Sequence, residues 1–446
     1  MSDTPSRPPA PTLASAVRYW LKLGFISFGG PAGQIALMHG ELVERRRWIS
    51  ERRFLHGLNY CMLLPGPEAT QLAIYIGWLM HGTRGGILAG ALFVLPSLLI
   101  LIALSWLYMA FGALPVVLAV LAGIKPAVVA LVLAAAWRIG RRSLRSAALR
   151  MIAAAAFVAI AFLALPFPLV VGAAAAIGAF GARLWPHQFQ LGGAHPQQQH
   201  ASYGPALIDD DTPTPAHARF AWARLARTAT VGCALGAAAW LLVAYCSGFD
   251  GTLARMGAFF SKVALLSFGG AYAVLPYVVQ GGVQTYHWLS PAQMIDGLAL
   301  GETTPGPLIM VNAFVGFAGG WNHAPLGPLH LGAAGAAGAL VATFFTFLPS
   351  FVFVLAGGPL VEATRDDLRM TAPLTAISAA VVGVIASLAL FFGRQVFNLD
   401  APPAHWNLAA LAIAAAALAA LLRYQVGAVK LIGACAGAGL VLSYLH

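Results

Sequence analysis

Charge is what this chain has least of. Of 446 residues only 15 are Asp or Glu and 26 are Lys or Arg, 9% together, against 59% hydrophobic residues. Soluble domains devote about a quarter of their residues to charge, so an ordinary soluble protein is excluded. Cysteine is also scarce. Cys61, Cys233, Cys246 and Cys435 stand far apart with no paired spacing, which makes them free packed thiols rather than a disulfide framework. No GxxxxGK[ST] string and no HExxH helix occurs, so ATP-driven pumping and zinc proteolysis lack their machinery. No metal or other cofactor is expected: His187, His195, His200 and His217 gather without cysteine or a helical spacing. There is no aromatic-rich basic region, so the formal net charge of +11 does not announce nucleic acid. In membrane proteins Lys and Arg collect in cytoplasmic loops, and that reading accounts for the balance. The opening MSDTPSRPPAPT is polar and Pro-rich without a cleavable apolar core, so the N-terminus is expected in the cytoplasm.

What the chain has is long apolar stretches and a repeat. A spanning helix needs about 20 apolar residues. Segments near 87–108, 117–137, 151–165, 166–185, 228–247, 328–357, 372–392, 405–422 and 427–445 read as crossings. Shifting the sequence by 240 residues lays Ser27-Phe28-Gly29-Gly30 on Ser267-Phe268-Gly269-Gly270, and Pro65-Gly66-Pro67 on Pro305-Gly306-Pro307. Between Lys22 and Pro67, 13 of 46 positions are identical, including Lys22 with Lys262, Trp48 with Trp288 and Ser50 with Ser290. Further on the shift becomes 253, matching LPS at 95–97 with LPS at 348–350, so the second copy holds a 13-residue insertion, placed in GGWNHAPLGPLH. An internal duplication is the usual ancestry of a secondary transporter.

Charge orients the copies. The segment Glu41 to Arg53 carries five arginines, whereas its counterpart Gly281 to Gln293 has no Lys, Arg, Asp or Glu at all. By the positive-inside rule the two face opposite sides. The expected fold is therefore an all-α polytopic membrane protein of two inverted-topology repeats. Residues 1–12 form a tail, 13–185 the first repeat, 186–227 a polar cytoplasmic linker that reads as mobile, and 228–446 the second repeat. Gly29-Gly30-Pro31 breaks residues 13–40 and Pro65-Gly66-Pro67 breaks residues 54–80. These are broken or re-entrant helices, expected to meet near the midplane. Irregular backbone at membrane depth is tolerated only when buried in protein or lining a watery cavity.

A half-helix that starts after Gly-Pro offers free N–H groups and a positive dipole end, which attract anions. Ser27 and Ser267 would add hydroxyls. The pattern suits a small oxyanion, although Ala271 stands where the first copy has Pro31. The motifs KLGFISFGGPAGQIALMHGELVERRRWISERRF and NYCMLLPGPEATQLAIYIGW, repeated as KVALLSFGGAYAVLPYVV and LGETTPGPLIMVNAFVGF, resemble the chromate ion transporter family in its long, two-halved form, over about residues 14–445. The resemblance implies chromate export driven by the proton motive force, chromate resistance, and a place in the bacterial inner membrane. The residues themselves leave a carrier or exchanger of sulfate or another tetrahedral oxyanion open, and also a passive anion channel. A homodimer is compatible, and no motif requires one.

The remaining candidates carry two readings each. Lys22 and Lys262 either supply positive potential for a dianion or snorkel to the headgroups. Glu68 and Glu302, beside the PGP motifs, either couple transport to protons or sit as solvated or dipole-stabilised carboxylates. Arg84 is a gate or a short-loop charge. Gln34, Asn59, Gln71, Thr303, Thr304 and Asn312 either donate to oxyanion oxygens or bond between helices.

Overall fold

Gly and Pro divide the chain into short and long helices in the same order twice. The computed structural model describes residues 7–184, 188, 203–363 and 372–445. Its first copy comprises α1 (Leu13–Ile26), α2 (Gly30–His39), α3 (Glu51–Leu63), α4 (Glu68–Phe111), α5 (Pro115–Ser143), α6 (Ala147–Ala161) and α7 (Phe167–Leu184). After α8 (Trp222–Ser247) the second copy runs α9 (Thr252–Leu265), α10 (Ala271–Val279), α11 (Pro291–Thr303), α12 (Val311–His323), α13 (Leu331–Ala363), α14 (Ala372–Phe397), α15 (Leu408–Arg423) and α16 (Ala428–Leu445). Among the described residues, five helices are long and apolar enough to cross a membrane, and α6, α7, α15 and α16 contain shorter apolar stretches. The protein is an all-α polytopic membrane protein.

The identities found by the 240-residue shift have local causes. Ser50 and Ser290 are the N-caps of α3 and α11, accepting from the amides of Arg53 and Gln293. α2 and α10 both pass into a π-helical turn, at Gly40–Arg45 and Gln280–Thr285. Arg47 and His287, equivalent positions, both have positive φ. α10 begins at Ala271, so the half-helix starts in register without the proline, because Gly270 (φ 95°) supplies the turn.

The broken helices are hairpins. Phe259 and Tyr277 lie on either side of SFGG, yet their ring centroids are 5.1 Å apart; eighteen residues of continuous helix would separate them by about 27 Å. In the first copy the Arg46 guanidinium lies 5.1 Å from the Tyr19 ring centroid across the same turn. The PGP motifs do likewise. A Cβ on Gly57 would come 2.5 Å from the Tyr75 ring, and one on Gly297 would come 2.2 Å from Phe314. α4 itself turns back at His81 and Gly82, where φ and ψ leave the helical region. Its arms, 68–80 and 83–111, touch so closely that a Cβ on Gly85 would sit 2.2 Å from the Gly77 carbonyl. The second copy repeats this with Gly316 against Gly338, and the stretch 319–330 closes α12 and forms the turn before α13.

The copies interlock. α5 meets α16 where a Cβ on Gly123 would clash with the Cys435 carbonyl, and α14 meets α6 where Gly383 lies against the Ala153 carbonyl. First-copy α5 thus packs on second-copy α16, and second-copy α14 on first-copy α6. Lipid provides no hydrophobic drive for helices to associate, so close approach through small residues carries the packing. α8 runs at the periphery, with Gly232 and Gly236 against Val352 and Leu348 of α13 and an exposed face of Val231, Leu235, Leu242 and Tyr245.

The linker's described part is held rather than loose. Residues 206–212 lie along the arginine segment: the amides of Leu207 and Ile208 donate to the carbonyls of Arg47 and Trp48, and the Ser50 amide donates to the Ile208 carbonyl. The Ser50 hydroxyl donates to Asp210 at 2.6 Å and Arg53 to the Thr212 carbonyl at 2.5 Å. Arg7 pairs with Asp211 at 2.8 Å, which brings the N-terminal tail to the same end.

Candidate functional site

The four hairpin tips come together by an exchange between copies. The amide of Gly66 donates to the carbonyl of Ser267 at 2.9 Å, and the amide of Gly306 donates to the carbonyl of Ser27 at 2.8 Å. Each PGP turn therefore bonds the SFGG turn of the other copy. The LPS serines follow the same rule: Ser350 lies over Gly66 and Ser97 over Gly306, where a Cβ would meet them at 2.4 and 2.6 Å. Both glycines have positive φ, 128° and 109°, so backbone conformation and space alike require glycine there. A reciprocal contact of this kind is the signature of a two-fold relation.

Around this junction Ser27, Ser267, Ser97, Ser350, Gln34, Gln71, Thr70, Thr304 and Asn312 are buried. Gln34 donates to the Gly306 carbonyl at 2.6 Å and to the Ser27 carbonyl at 3.3 Å, joining α2 to the second copy. Gln71 donates to the Pro65 carbonyl at 2.8 Å and to Ser350 at 3.3 Å. Asn312 donates to Thr346 at 3.2 Å. Thr303 and Thr304 return their hydroxyls to carbonyls of their own helix turn, as does Ser27 to Leu23. The hydroxyls of Thr70, Ser97 and Ser267 are buried with no partner. Unused buried donors are costly, and an oxyanion is a ligand with only acceptors to offer.

The SFGG turns open outward. Nothing lies within 4 Å of where a Cβ would stand on Gly29, Gly30, Gly269 or Gly270, and Phe28 is 41% exposed. Pro31 takes the first turn of α2 and Phe268 is half-buried. Pro65, Pro67, Pro305 and Pro307 flank the bonded glycines. The N-termini of α2 and α10 leave their first amides, and the positive ends of their dipoles, beside these open glycines. Cavities of about 180 Å³, lined by Gln280, Gln284 and Arg394 among others, and of about 890 Å³ between α6 and α7, lie away from the junction.

The two carboxylates differ. Glu302 accepts a hydrogen bond from Tyr272, which stands two residues past Gly270, and lies within electrostatic range of Arg138 on α5. Glu68 opens α4 directly after Pro67 and is half-buried beside Cys61. Cys61 is wholly buried, so its thiol is shielded. Lys22 and Lys262 lie on exposed faces of α1 and α9, and Arg84 and Asn59 are exposed as well. None of these four is among the buried groups of the junction. His187, His195 and His200 lie outside the described residues, and His217 bonds the Trp78 carbonyl at 2.9 Å.

Two ionisable clusters escaped the reading of the sequence. Asp296 on α11 is buried against Lys125 of α5 and Tyr108 of α4. Glu362 on α13 is buried and accepts from Tyr75. The available signal was a single Lys in AGIKPAVV and a single Asp in QMIDGLAL, each ionisable residue in an apolar helix being a functional candidate by default. Arg138 heads a run of five arginines between 138 and 150, and its position also serves Glu302.

The family described as chromate transporter matches residues 14–179 and 254–440, which together are most of both copies. A chromate transport protein of Pseudomonas aeruginosa is 33% identical over 387 residues, 86% of this chain and 82% of that protein. One from Cupriavidus metallidurans is 29% identical over 405 residues, 91% and 88% of the two chains. A probable chromate transport protein of Synechococcus elongatus is 28% identical over 391 residues, 87% and 86%. No solved structure matches.

Proposed function

The chain belongs to the chromate transporter family, and from that premise we propose that it is a secondary carrier exporting chromate from the cytoplasm across the bacterial inner membrane, driven by the proton motive force and conferring chromate resistance. The observation that carries this reading is the reciprocal bonding of Gly66 to Ser267 and Gly306 to Ser27. It turns four half-membrane hairpins into one two-fold junction, the place where repeat transporters hold their substrate.

The copies are inverted about the membrane plane. From the first pair of hairpins the long arm of α4, then α5, α6, α7 and α8, make five crossings before the second pair begins. An odd number places equivalent elements on opposite sides. The arginines of 45–53, 138–150 and 219–227 then all fall on the cytoplasmic side with the tail and the linker, as positive-inside placement requires. Each hairpin arm of α1, α3, α9 and α11 is 13 or 14 residues, about 20 Å. Each arm turns back at its SFGG or PGP tip, a reading that the Phe259–Tyr277 and Gly297–Phe314 contacts support, so it ends inside the membrane and the tips meet near the midplane.

There the chromate dianion is held by the open amides of the SFGG turns, by the PGP turns, and by the free hydroxyls of Ser267 and Ser97. Lys22 and Lys262 add positive potential from the flanks. Glu68 and Glu302 stand beside the tips, where their protonation state sets the charge that the anion meets. Gln34, Gln71 and Asn312 fix the geometry of the tips.

The test is flux in proteoliposomes holding the purified chain, chromate against sulfate, with and without a pH gradient. Accumulation of chromate beyond equilibrium, dependent on the gradient, is the expected result. Sulfate outcompeting chromate would replace the substrate, and equilibration alone would make the protein a channel.

A further inference from the structure

Away from the hairpin tips, ionisable side chains from both copies meet inside the bundle. Asp296 of α11 is 2% exposed. Its Oδ2 lies 3.6 Å from Lys125 Nζ and accepts a 2.8 Å hydrogen bond from the Tyr108 hydroxyl. Its Oδ1 is buried without a partner. From the elements packed against α11, Lys125 of α5 and Tyr108 of α4 are the charged and titratable groups that act on it.

The position is an expensive one for charge. Lys125 stands ten residues, about 15 Å, into α5, whose 29 residues span about 43 Å. Buried ion pairs contribute little net stability, since desolvation offsets their attraction. Stability alone therefore does not account for the pair, whereas a vacant carboxylate oxygen facing no donor is a place for a proton. Protonated, Asp296 loses its attraction for Lys125.

The pair also joins different copies. Lys125 and Tyr108 belong to the first. Asp296 belongs to the hairpin whose tip, Gly306, bonds Ser27, and seven residues of helix, about 10 Å, separate it from Thr303 at that tip. A change at Asp296 therefore acts on the same hairpin that holds the first SFGG turn. At the other end, Tyr75 of the first copy bonds Glu362 of the second, with the acid now on the long helix and the tyrosine on the hairpin. His56, at the position equivalent to Asp296, meets the Val361 carbonyl there at 3.1 Å, and Arg53 lies within electrostatic range.

We propose that Asp296 is a proton-binding site on the outer side of the junction: charged, it locks the α11–α12 hairpin to Lys125; protonated, it releases that hairpin and with it the link from Gly306 to Ser27. This rests on the proton-coupled, inverted carrier proposed above, in which Tyr108, Lys125 and the start of α11 lie toward the outer face. Proton and anion then favour opposite arrangements of one hairpin, which is the thermodynamic condition for exchanging one against the other.

The experiment uses the full chain in proteoliposomes and reads two fluxes: chromate–chromate exchange at equal pH, and net chromate flux with proton movement under a pH gradient. Asp296→Asn is expected to keep exchange within about twofold while gradient-driven flux and proton movement fall about tenfold or more, a coupling loss of ordinary size. Asp296→Glu, which keeps the charge and moves it by one methylene, is expected to keep proton movement with a displaced pH profile. An Asn variant with wild-type gradient response overturns the proposal. So does a Glu variant that is folded and exchanges chromate with an unaltered pH profile, which settles the matter even if the Asn variant fails to fold. Absence of proton movement in the wild-type chain would instead overturn the proton-coupled reading itself.

Discussion

The amide of Gly306 donates to the carbonyl of Ser27 at 2.8 Å, and its equivalent, Gly66, does the same to Ser267 at 2.9 Å. A turn in each copy thus completes its hydrogen bonding only through the other copy. Neither half can present a finished junction alone, and any movement of one hairpin is felt by the opposite SFGG turn.

The bonded glycines are expected to tolerate substitution worse than the open ones. At Gly66 and Gly306 an alanine would take a φ of 128° or 109° and meet Ser350 or Ser97 inside 3 Å. Overpacking and backbone strain each cost about 1–3 kcal/mol. Gly29→Ala meets nothing within 4 Å and costs only the left-handed conformation, about 1–2 kcal/mol. Thermal unfolding in detergent should rank Gly66→Ala and Gly306→Ala well below Gly29→Ala. The reverse order would mean that the tips are not packed as described.

Ser97→Ala and Ser267→Ala remove buried hydroxyls that have no partner. Stability should stay within about 0.5 kcal/mol of the parent, since no hydrogen bond is lost. Anion affinity should fall about fivefold for each, the worth of a hydrogen bond of about 1 kcal/mol. Calorimetric titration with chromate and sulfate reads this directly, and unaltered affinity would take both hydroxyls off the anion's path.

Arg53→Ala should loosen the linker. Arg53 is 4% exposed and its guanidinium donates to the Thr212 carbonyl at 2.5 Å, and a hydrogen bond from a charged group is worth about 1.5–3 kcal/mol. Limited proteolysis should cut residues 203–221 of the variant several times faster than those of the parent. Equal rates would show that the backbone pairing of Leu207 and Ile208 suffices to hold the strap.

Glu41 gives the arginine-rich end a pH limit. Burial pushes its carboxyl up, but the 2.7 Å hydrogen bond and charge of Arg46, with Arg45 and Lys22, outweigh burial and hold it below the ordinary carboxylate range. A depressed carboxyl contributes stability that is fully present above its unfolded value, about 4.3, and is lost as pH falls through the folded value. Glu41→Gln should therefore be less stable than the parent at neutral pH, with the difference closing below about pH 4. A constant difference across that window, read by unfolding at several pH values, would assign the effect to packing instead.

Much of the fold was legible because its causes are local. Gly29-Gly30, Pro65-Gly66-Pro67 and their repeats end helices wherever they stand, and Ser50 and Ser290 start them. GGWNHAPLGPLH, to which the shift assigns the insertion, spans the end of α12 and the turn into α13. The choice between a kinked crossing and a hairpin was illegible, because the same glycines permit both, and contacts such as Phe259 with Tyr277 decide it. Lys125 and Asp296 were invisible as a pair for a related reason: one charge in an apolar segment names no partner.

By itself the sequence determined a duplicated, membrane-embedded, all-helical chain with interrupted segments at equivalent places, since scarcity of charge, apolar length and Gly-Pro punctuation act through neighbours along the chain. Only the tertiary structure decided that each PGP turn is completed by the other copy's SFGG turn, that the acidic linker segment is held on the arginine segment, and that Asp296 meets Lys125. Those are contacts between residues far apart in sequence, and buried backbone donors and charges find such partners only when the whole bundle closes around them.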